Sequence, residues 1–136
     1  MEKLEIKQQP ATTLDEYQEK AMTTCMPSCR NYTYMFGNLA AELGEFSGKI
    51  SKARRKGLVS IKDDNLIWNY TGTKENEMEL AQLHEDLLYE LGDILWQLSG
   101  LADVMGYYMH EVADYNLMKL ESRQQRNKID GDGDHR

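Results

Sequence analysis

Residues 39–46 read LAAELGEF, and residues 87–94, which lie 48 positions further along the chain, read LLYELGDI. Both stretches place an acid, a leucine, a glycine and a second acid in the same order, among residues that favour helices. At about 100° of rotation per residue, Glu42 falls inside the edge of an apolar stripe, and Glu90 has the same relation to a second stripe. The sequence therefore predicts the same carboxylate-bearing helix face twice.

The two apolar stripes predict that the helices pack against each other. The first stripe consists of Leu39, Leu43, Phe46, Ile50 and Ala53, and the second of Leu83, Leu87, Leu91, Ile94, Leu98 and Leu101. Pairing through these stripes would bring Glu42, Glu45, Glu90 and Asp93 to one buried seam. Four unpaired anions repel one another, so we expect a cation among them. Oxygen ligands without His or Cys favour a hard divalent ion, Mg²⁺ with Mn²⁺ as a substitute.

A solvated acidic face is the alternative interpretation, because acids three residues apart are common on exposed helices. It would make the protein a non-catalytic helical interaction module. The metal site is favoured by the apolar border, by the repeated frame and by the glycine inside each copy. Glycine costs up to about 1 kcal/mol against alanine in a helix, so we expect Gly44 and Gly92 to permit close approach of helices or ligand.

The composition predicts one helical domain over residues 1–136. The chain has 40% hydrophobic and 29% charged residues and only two prolines. Its net charge of −7 argues against binding of duplex nucleic acid through the phosphate backbone. The sequence has no apolar run of the roughly 18 residues that a membrane span needs, and it starts without a signal-peptide core, so we expect a cytoplasmic protein.

Capping and turn residues divide the chain into about four helices. Thr13 and Glu16 have capping-box spacing, Pro27 ends the first helix, and Gly57 and Gly106 end the second and third. The predicted segments are a lead-in at 1–12, helices at 14–25, 32–56, 75–105 and 110–126, a connecting loop at 58–74 pinned by Trp68 and containing at most a short helical turn, and a polar tail at 127–136. The prediction is an all-α, up-and-down bundle.

The third helix is apolar on more than one side, which predicts that oligomerisation completes the bundle. Leu88, Leu95 and Ala102 form a second ridge, and Tyr89 and Trp96 a third. A small monomer supplies too few neighbours to cover all of these faces, so we expect a homodimer or homotetramer. Trp96 lies on the side next to the acids, where it would stack on a nucleobase or close a subunit interface.

Cationic side chains provide candidate phosphate contacts. Asn116, Lys119 and Arg123 are spaced by three and four residues on the fourth helix, so these three share a face. Arg126 belongs to the same cationic end of this helix. The alternative is that they only complement the negative end of the helix dipole. On the second helix, Lys49 and Lys52 are weaker candidates.

Taken together, the motifs 42–45 and 90–96 and the tail resemble those of the MazG-like all-α nucleoside triphosphate pyrophosphohydrolases, from about Leu14 to the C-terminus. The resemblance implies that Mg²⁺ is held between two helices and that a nucleoside or deoxynucleoside triphosphate is cleaved between its α and β phosphates. It implies metal-binding and catalytic roles for Glu42, Glu45, Glu90 and Asp93. Among these, we expect Glu45 to be the base that acts on water.

The same resemblance favours phosphate contact for Lys119, Arg123 and Arg126, whose spacing matches the ending of phage-type members of the family. A rival of the same fold is hydrolysis of phosphoribosyl-ATP, which would leave the four acids unchanged. A carboxylate-bridged di-iron bundle is excluded because neither His84 nor His110 follows a glutamate by three residues.

No catalytic or metal-binding role is predicted for the cysteines or the histidines. The two cysteines, Cys25 and Cys29, lack a second pair or a nearby histidine, so we expect reduced thiols near a helix end. The three histidines, His84, His110 and His135, share no face and fit no catalytic triad. We expect all three on the surface.

Overall fold

The computed structural model describes residues 12–126 as four helices and one small β-hairpin. The all-α bundle prediction is confirmed, because the two short strands are its only sheet within that range. In chain order the elements are α1 (Leu14–Met22), a 3₁₀ turn (Pro27–Cys29), α2 (Tyr32–Arg55), β1 (Val59–Lys62), β2 (Asn65–Trp68), α3 (Lys74–Val104) and α4 (Met109–Gln125). The predicted lead-in lies outside the described residues except for Thr12, and so does the predicted tail.

Local signals place the helix ends within a few residues of the prediction. The capping box at α1 is formed: the Glu16 backbone N–H donates to Thr13 Oγ1 at 3.2 Å, and the Thr13 N–H donates to Glu16 Oε2 at 2.9 Å. Gly57 and Gly106 follow α2 and α3 with φ of +75° and +81°, the left-handed conformation that glycine adopts without a steric penalty.

The prediction of a loop without strands at 58–74 is wrong. β1 and β2 pair antiparallel, with Val59 opposite Trp68 and Lys62 opposite Asn65. Asp63 and Asp64 form the two-residue turn with φ of 48° and 62°, and positive φ at both positions matches the twist of a tight hairpin. Each strand has only four residues, which is too short for an alternating pattern to stand out.

Trp68 does pin this segment to the bundle, as predicted. Its ring stacks on the imidazole of His84, with centroids 3.7 Å apart and an interplanar angle of 11°. His84 is therefore half-buried, which corrects its expected surface position, and burial lowers its pKa. His110 is exposed as predicted, with its Nδ1 2.6 Å from Asp15 Oδ2, and His135 lies outside the described residues.

The main core lies where α2, α3 and the hairpin meet. Phe46, Ile50, Leu66 and Trp68 pack around it while remaining partly exposed. The buried members of this core are Ala53, Leu58, Val59, Leu80, Leu83 and Leu87. This core fixes the antiparallel α2–α3 pair that positions the candidate site.

The predicted apolar stripes meet only over part of their length. Ala53 of the first stripe packs with Leu83 and Leu87 of the second in the main core, but other members of both stripes are exposed. Leu43 is 54% exposed, Leu91 50% and Leu98 36%, whereas Glu90 is only 6% exposed. The α2–α3 seam thus runs through the acids themselves. Periodicity fixes which residues share a stripe, but the rotation of each helix about its axis is set by packing against its neighbour.

The expectation that Gly44 and Gly92 permit close contact between helices is wrong within the described chain, and close approach of a ligand to them stays a prediction. A Cβ atom added to either glycine would meet nothing within 4 Å. Gly100 has this role instead, because a Cβ there would lie 2.6 Å from Met35 Cε and would also collide with Met35 Sδ. Met35 is fully buried against this glycine.

Two further observations concern the cysteines and the possibility of a membrane-spanning helix. Cys25 is half-buried and Cys29 is buried, and both are free thiols as predicted. Among residues 12–126, none of the helices combines the length and the apolar character that crossing a bilayer requires.

Candidate metal and nucleotide site

Three of the four predicted acids converge at the middle of the α2–α3 pair. Glu42 and Glu45 lie one helical turn apart on α2, and Glu90 faces them from α3. Each contributes a carboxylate oxygen, and these three oxygens all lie within 4.8 Å of one another. We call this group the carboxylate cluster. Its oxygen-only donors have the chemistry that Mg²⁺ and Mn²⁺ prefer.

The electrostatics of Glu42 reflect this crowding. Burial has the largest effect in raising its pKa above 4.5, and the charges of Asp93, Glu45 and Glu90 raise it further. A hydrogen bond from the Gln97 side chain acts in the opposite direction. The folded protein therefore makes a bare anion at Glu42 unfavourable, and a cation in the cluster would relieve that cost.

Glu90 is the buried member of the cluster and is only partly neutralised. Its Oε1 lies 3.0 Å from Lys49 Nζ, and the same ammonium lies 4.0 Å from Asp86 Oδ2. The bond to Glu90 is the main cause that raises the pKa of Lys49. The other oxygen, Oε2, is buried and has no hydrogen-bond partner among residues 12–126. A buried carboxylate oxygen without a partner beside two further carboxylates fits a divalent cation.

Asp93 lies near the cluster but outside it. The side chain is exposed, and its oxygens are not among those that converge within 4.8 Å. Its charge raises the pKa of Glu42 and, after burial, that of Tyr17 on α1. Asp93 therefore stands between the cluster and α1, and its role as a metal ligand stays a prediction.

Gln97 is a residue of the site that the sequence analysis missed. It is 5% exposed and donates a hydrogen bond to Glu42, while its Oε1 is buried without a partner in the described part of the chain. Its position, seven residues after Glu90 and four after Asp93, places it on the same face of α3. That spacing is the signal that would have identified it.

The predicted phosphate contacts on α4 lie on a helix that packs against α1 and α3. Asn116 is exposed, Lys119 is half-buried and Arg123 is 7% exposed. The Nε–H of Arg126 donates to the Ser122 carbonyl at 3.3 Å. The carboxylate cluster, by contrast, is built from α2 and α3, so phosphate binding by these four residues stays a prediction.

Trp96 is engaged with α1. Its indole N–H donates to Thr24 Oγ1 at 3.0 Å and approaches the Ala21 carbonyl at 3.2 Å. These bonds join α3 to the C-terminal end of α1 and give Trp96 a structural role. Stacking on a nucleobase stays a prediction that would use the ring face only.

Comparison with known proteins assigns the chain to a family. The model of the MazG nucleotide pyrophosphohydrolase domain matches residues 30–127, which include α2, α3 and α4. The Gene 37 protein of Mycobacterium phage L5 is 33% identical over 109 residues, which cover 80% of each chain. No solved structure matches the chain. The carboxylate cluster lies inside the matched region, and the chain belongs to the MazG nucleotide pyrophosphohydrolase family.

Proposed function

We propose that this protein is a Mg²⁺-dependent pyrophosphohydrolase that cleaves a nucleoside or deoxynucleoside triphosphate to the monophosphate and pyrophosphate. One observation carries the proposal: the oxygens of Glu42, Glu45 and Glu90 converge within 4.8 Å, and a buried oxygen of Glu90 has no partner among the described residues. Family membership supports the reaction class. We place the activity in the cytoplasm, as the sequence predicts.

The four acids are the proposed metal ligands, and one of them is also the proposed base that activates water. Glu42, Glu45 and Glu90 would hold Mg²⁺, with Asp93 as a fourth ligand from the α1 side, and Mn²⁺ would substitute. When bound, the ion neutralises and polarises phosphate oxygens. Glu45 is the proposed base, because it is the exposed member of the cluster and is open to water and substrate. A carboxylate within reach of a bound water orients it and accepts its proton.

The substrate contacts are proposed from the cations and aromatic groups around the cluster. Lys49 is the nearest, because its ammonium already lies 3.0 Å from Glu90 Oε1. The other proposed contacts are Asn116, Lys119, Arg123, Arg126 and the ring of Trp96. Charge-assisted bonds from lysine and arginine suit phosphate oxygens. The fourth-helix residues require α4 or a second subunit to approach the cluster when nucleotide binds.

We propose that a homodimer or homotetramer is the active form. Leu43, Leu88 and Leu91 lie beside the cluster on α2 and α3 and are 54%, 47% and 50% exposed. Apolar residues exposed together on neighbouring helices are typical of a surface that a partner covers. Light scattering should give a dimer or tetramer for the wild type, and Leu91→Lys should shift it toward the monomer. A monomeric wild type would contradict this part of the proposal.

Pyrophosphate release is the direct test of the activity. Full-length protein is assayed with Mg²⁺ against the common ribonucleoside and deoxyribonucleoside triphosphates, and against phosphoribosyl-ATP as the rival substrate. Glu42→Gln and Asp93→Asn should abolish release with the fold retained. Glu85→Gln is the control, because Glu85 is an exposed acid of α3 that bonds Tyr89 at 2.9 Å, away from the cluster. Wild-type turnover in Glu42→Gln or Asp93→Asn would overturn the assignment.

The non-catalytic module remains the alternative function, and metal-linked stability separates it from the enzyme. A ligand that binds only the folded state stabilises it by about 2.7 kcal/mol at a concentration 100 times its Kd. The enzyme should therefore melt several degrees higher in Mg²⁺ at saturating concentration than in chelator. An unchanged melting temperature, together with no hydrolysis of any nucleotide, would favour the module.

A further inference from the structure

A lysine-lined cavity of about 240 Å³ adjoins the carboxylate cluster. It lies between the last turns of α2 and the early turns of α3, and its apolar floor includes Ala53 and Leu83. Lys49, Lys52 and Lys56 line it from α2. Lys49 belongs to both places, because it lines the cavity and bonds Glu90 of the cluster at 3.0 Å. The cavity and the carboxylate cluster therefore adjoin each other at Lys49, and we refer to the two together as the groove.

The spacing of the three lysines turns them into a row. Steps of three and four residues keep Lys49, Lys52 and Lys56 on one face of α2. At 1.5 Å of rise per residue, the row extends roughly 10 Å along the helix axis, away from the cluster. A row of ammonium groups that starts at a cation site suits an extended anion, one end of which would be bound by the metal.

The charges of the facing wall leave the outer two lysines available. Asp86 already accepts a bond from Gln82 at 2.9 Å and lies 4.0 Å from Lys49. Within residues 12–126, neither Lys52 nor Lys56 has a carboxylate within 4.0 Å. Glu79 is the other acid of the cavity wall.

Helix-dipole compensation alone does not explain why lysines face the cavity. Arg54 and Arg55 lie in the same final turn of α2 and complement the dipole equally well, but they do not line the cavity. A second cavity, of about 260 Å³ between α1 and the α3–α4 connection, has Glu19 and Asp103 in its wall and no lysine or arginine among its described lining residues. Of these two cavities in the described residues, only the one beside the cluster has a cationic lining.

We propose that this cavity binds the two phosphates that leave as pyrophosphate, with Lys52 and Lys56 as their contacts. The proposal rests on the proposed function and orients the substrate along the α2–α3 seam. The terminal phosphates point toward the C-terminal end of α2, and the nucleoside points toward α1 and Asp93. Ammonium groups bind phosphate oxygens as compact point charges, which suits a leaving group that must later dissociate.

The affinities for the two reaction products, measured separately, test whether this cavity binds pyrophosphate. Isothermal titration calorimetry on full-length protein in Mg²⁺ uses inorganic pyrophosphate and, separately, a nucleoside monophosphate. Lys52→Gln/Lys56→Gln should weaken pyrophosphate binding by about tenfold or more, since two charge-assisted contacts are lost. Its affinity for the monophosphate should stay within about twofold of wild type, because that end of the substrate lies elsewhere.

The matched control is Arg54→Gln/Arg55→Gln, which removes the same charge from the same helix end outside the cavity. It should leave pyrophosphate affinity within about twofold of wild type. If both double variants weakened pyrophosphate binding equally, the effect would come from the overall positive charge at the end of α2. That result would overturn the proposal. Absence of saturable pyrophosphate binding to wild type would overturn it as well.

The two proposals can fail separately. A wild type that hydrolyses nucleotides, with a lysine variant that binds pyrophosphate normally, would retain the activity and remove this site. A wild type that hydrolyses none of the nucleotides but binds pyrophosphate through Lys52 and Lys56 would do the reverse. In that case the cavity is an anion site, and the pyrophosphohydrolase assignment is wrong.

Discussion

The two copies of the acidic motif, 42–45 on α2 and 90–93 on α3, have nearly the same letters but different environments. In both copies the leucine is about half exposed, at 54% in the first and 50% in the second. In both copies the first acid lies at the contact between α2 and α3, but Glu42 is half-buried and Glu90 is buried. The fourth residues differ more, because Glu45 joins the carboxylate cluster and Asp93 does not.

The environment of each acid is set by residues outside the motif that contact it across the helix pair. Glu90 has Lys49 beside one oxygen, and Glu42 has the Gln97 amide. Neither partner belongs to the motif. Glu45 and Asp93 occupy the same motif position, but aspartate is shorter by one methylene, so its carboxylate stays closer to its own helix.

Glu90→Gln, like Glu42→Gln and Asp93→Asn, is among the variants with the largest expected effect on activity, and it tests whether the buried copy of the motif is functional. We expect pyrophosphate release to fall on the order of 10³-fold, because the change removes the buried anion that faces the metal position. The isosteric amide should leave the circular dichroism spectrum unchanged. Glu85→Gln serves as the control on the same helix. Activity within tenfold of wild type would mean that the buried copy is not the functional one.

Gly100→Ala should have the next largest effect, compared with Gly92→Ala inside the second motif. The methyl group at position 100 collides with Met35, so we expect a loss of about 1–3 kcal/mol in the free energy of unfolding. Gly92→Ala meets open space and should gain up to about 1 kcal/mol. Urea denaturation measures both. A clear destabilisation by Gly92→Ala would indicate that a second subunit contacts this glycine.

Glu45→Gln and Asp93→Asn test the difference between the fourth residues of the two motif copies. In the absence of nucleotide, Glu45→Gln should weaken Mg²⁺ binding by about tenfold or more, since even indirect partners of metal ligands have effects of this size. Asp93→Asn should weaken it less, because Asp93 lies outside the cluster. Calorimetric titration with Mg²⁺ gives both values. The reverse order would show that Asp93 moves into the cluster when the metal binds.

Glu42→Gln should change stability modestly, with a pH dependence whose sign follows from burial and the neighbouring acids. These raise the folded-state pKa of Glu42 above 4.5, so the folded protein binds this proton more tightly than the unfolded chain does. Glu42 therefore lowers stability progressively as pH rises from about its ordinary value through the raised pKa, and the loss is complete above it. In chelator, Glu42→Gln should melt above wild type at pH 7.

The gap between these two melting temperatures should close as the pH falls below 4.5, where Glu42 becomes protonated in both the folded and the unfolded state. Saturating Mg²⁺ should reverse the order at pH 7, because wild type retains the full set of ligands. Thermal melts at several pH values, with and without chelator, measure this. A variant that melts below wild type in chelator at pH 7 would show that Glu42 stabilises the metal-free fold.

Much of the fold was predictable because its signals are local. The capping pair Thr13 and Glu16 and the glycines Gly57 and Gly106 act within one turn of the helix ends that they define. The hairpin was missed because its stability depends on distant contacts. Its turn is Asp63-Asp64 instead of a glycine pair, and Trp68 is held by His84 on α3.

The candidate site was predictable in its members but not in its partners. The repeated spacing identifies Glu42, Glu45 and Glu90 from the sequence alone, and the structure brings these three together. Lys49 was only a weak candidate, and Gln97 was not identified, because their importance comes from contacts across the helix pair. No pattern within one helix reports such a contact.

The helix ends follow from the amino-acid sequence alone to within about three residues, the largest difference being at α1, which ends at Met22. The repeated acidic frame on two helices also follows from it. The rotation of each helix about its own axis, which buries Glu90 and exposes Leu91, comes from the packing of α2 against α3. The physical reason is that helical periodicity fixes angles between residues of one helix but not the angle to its neighbour. That second angle depends on packing, here on Met35 against Gly100 and on the core around Ala53.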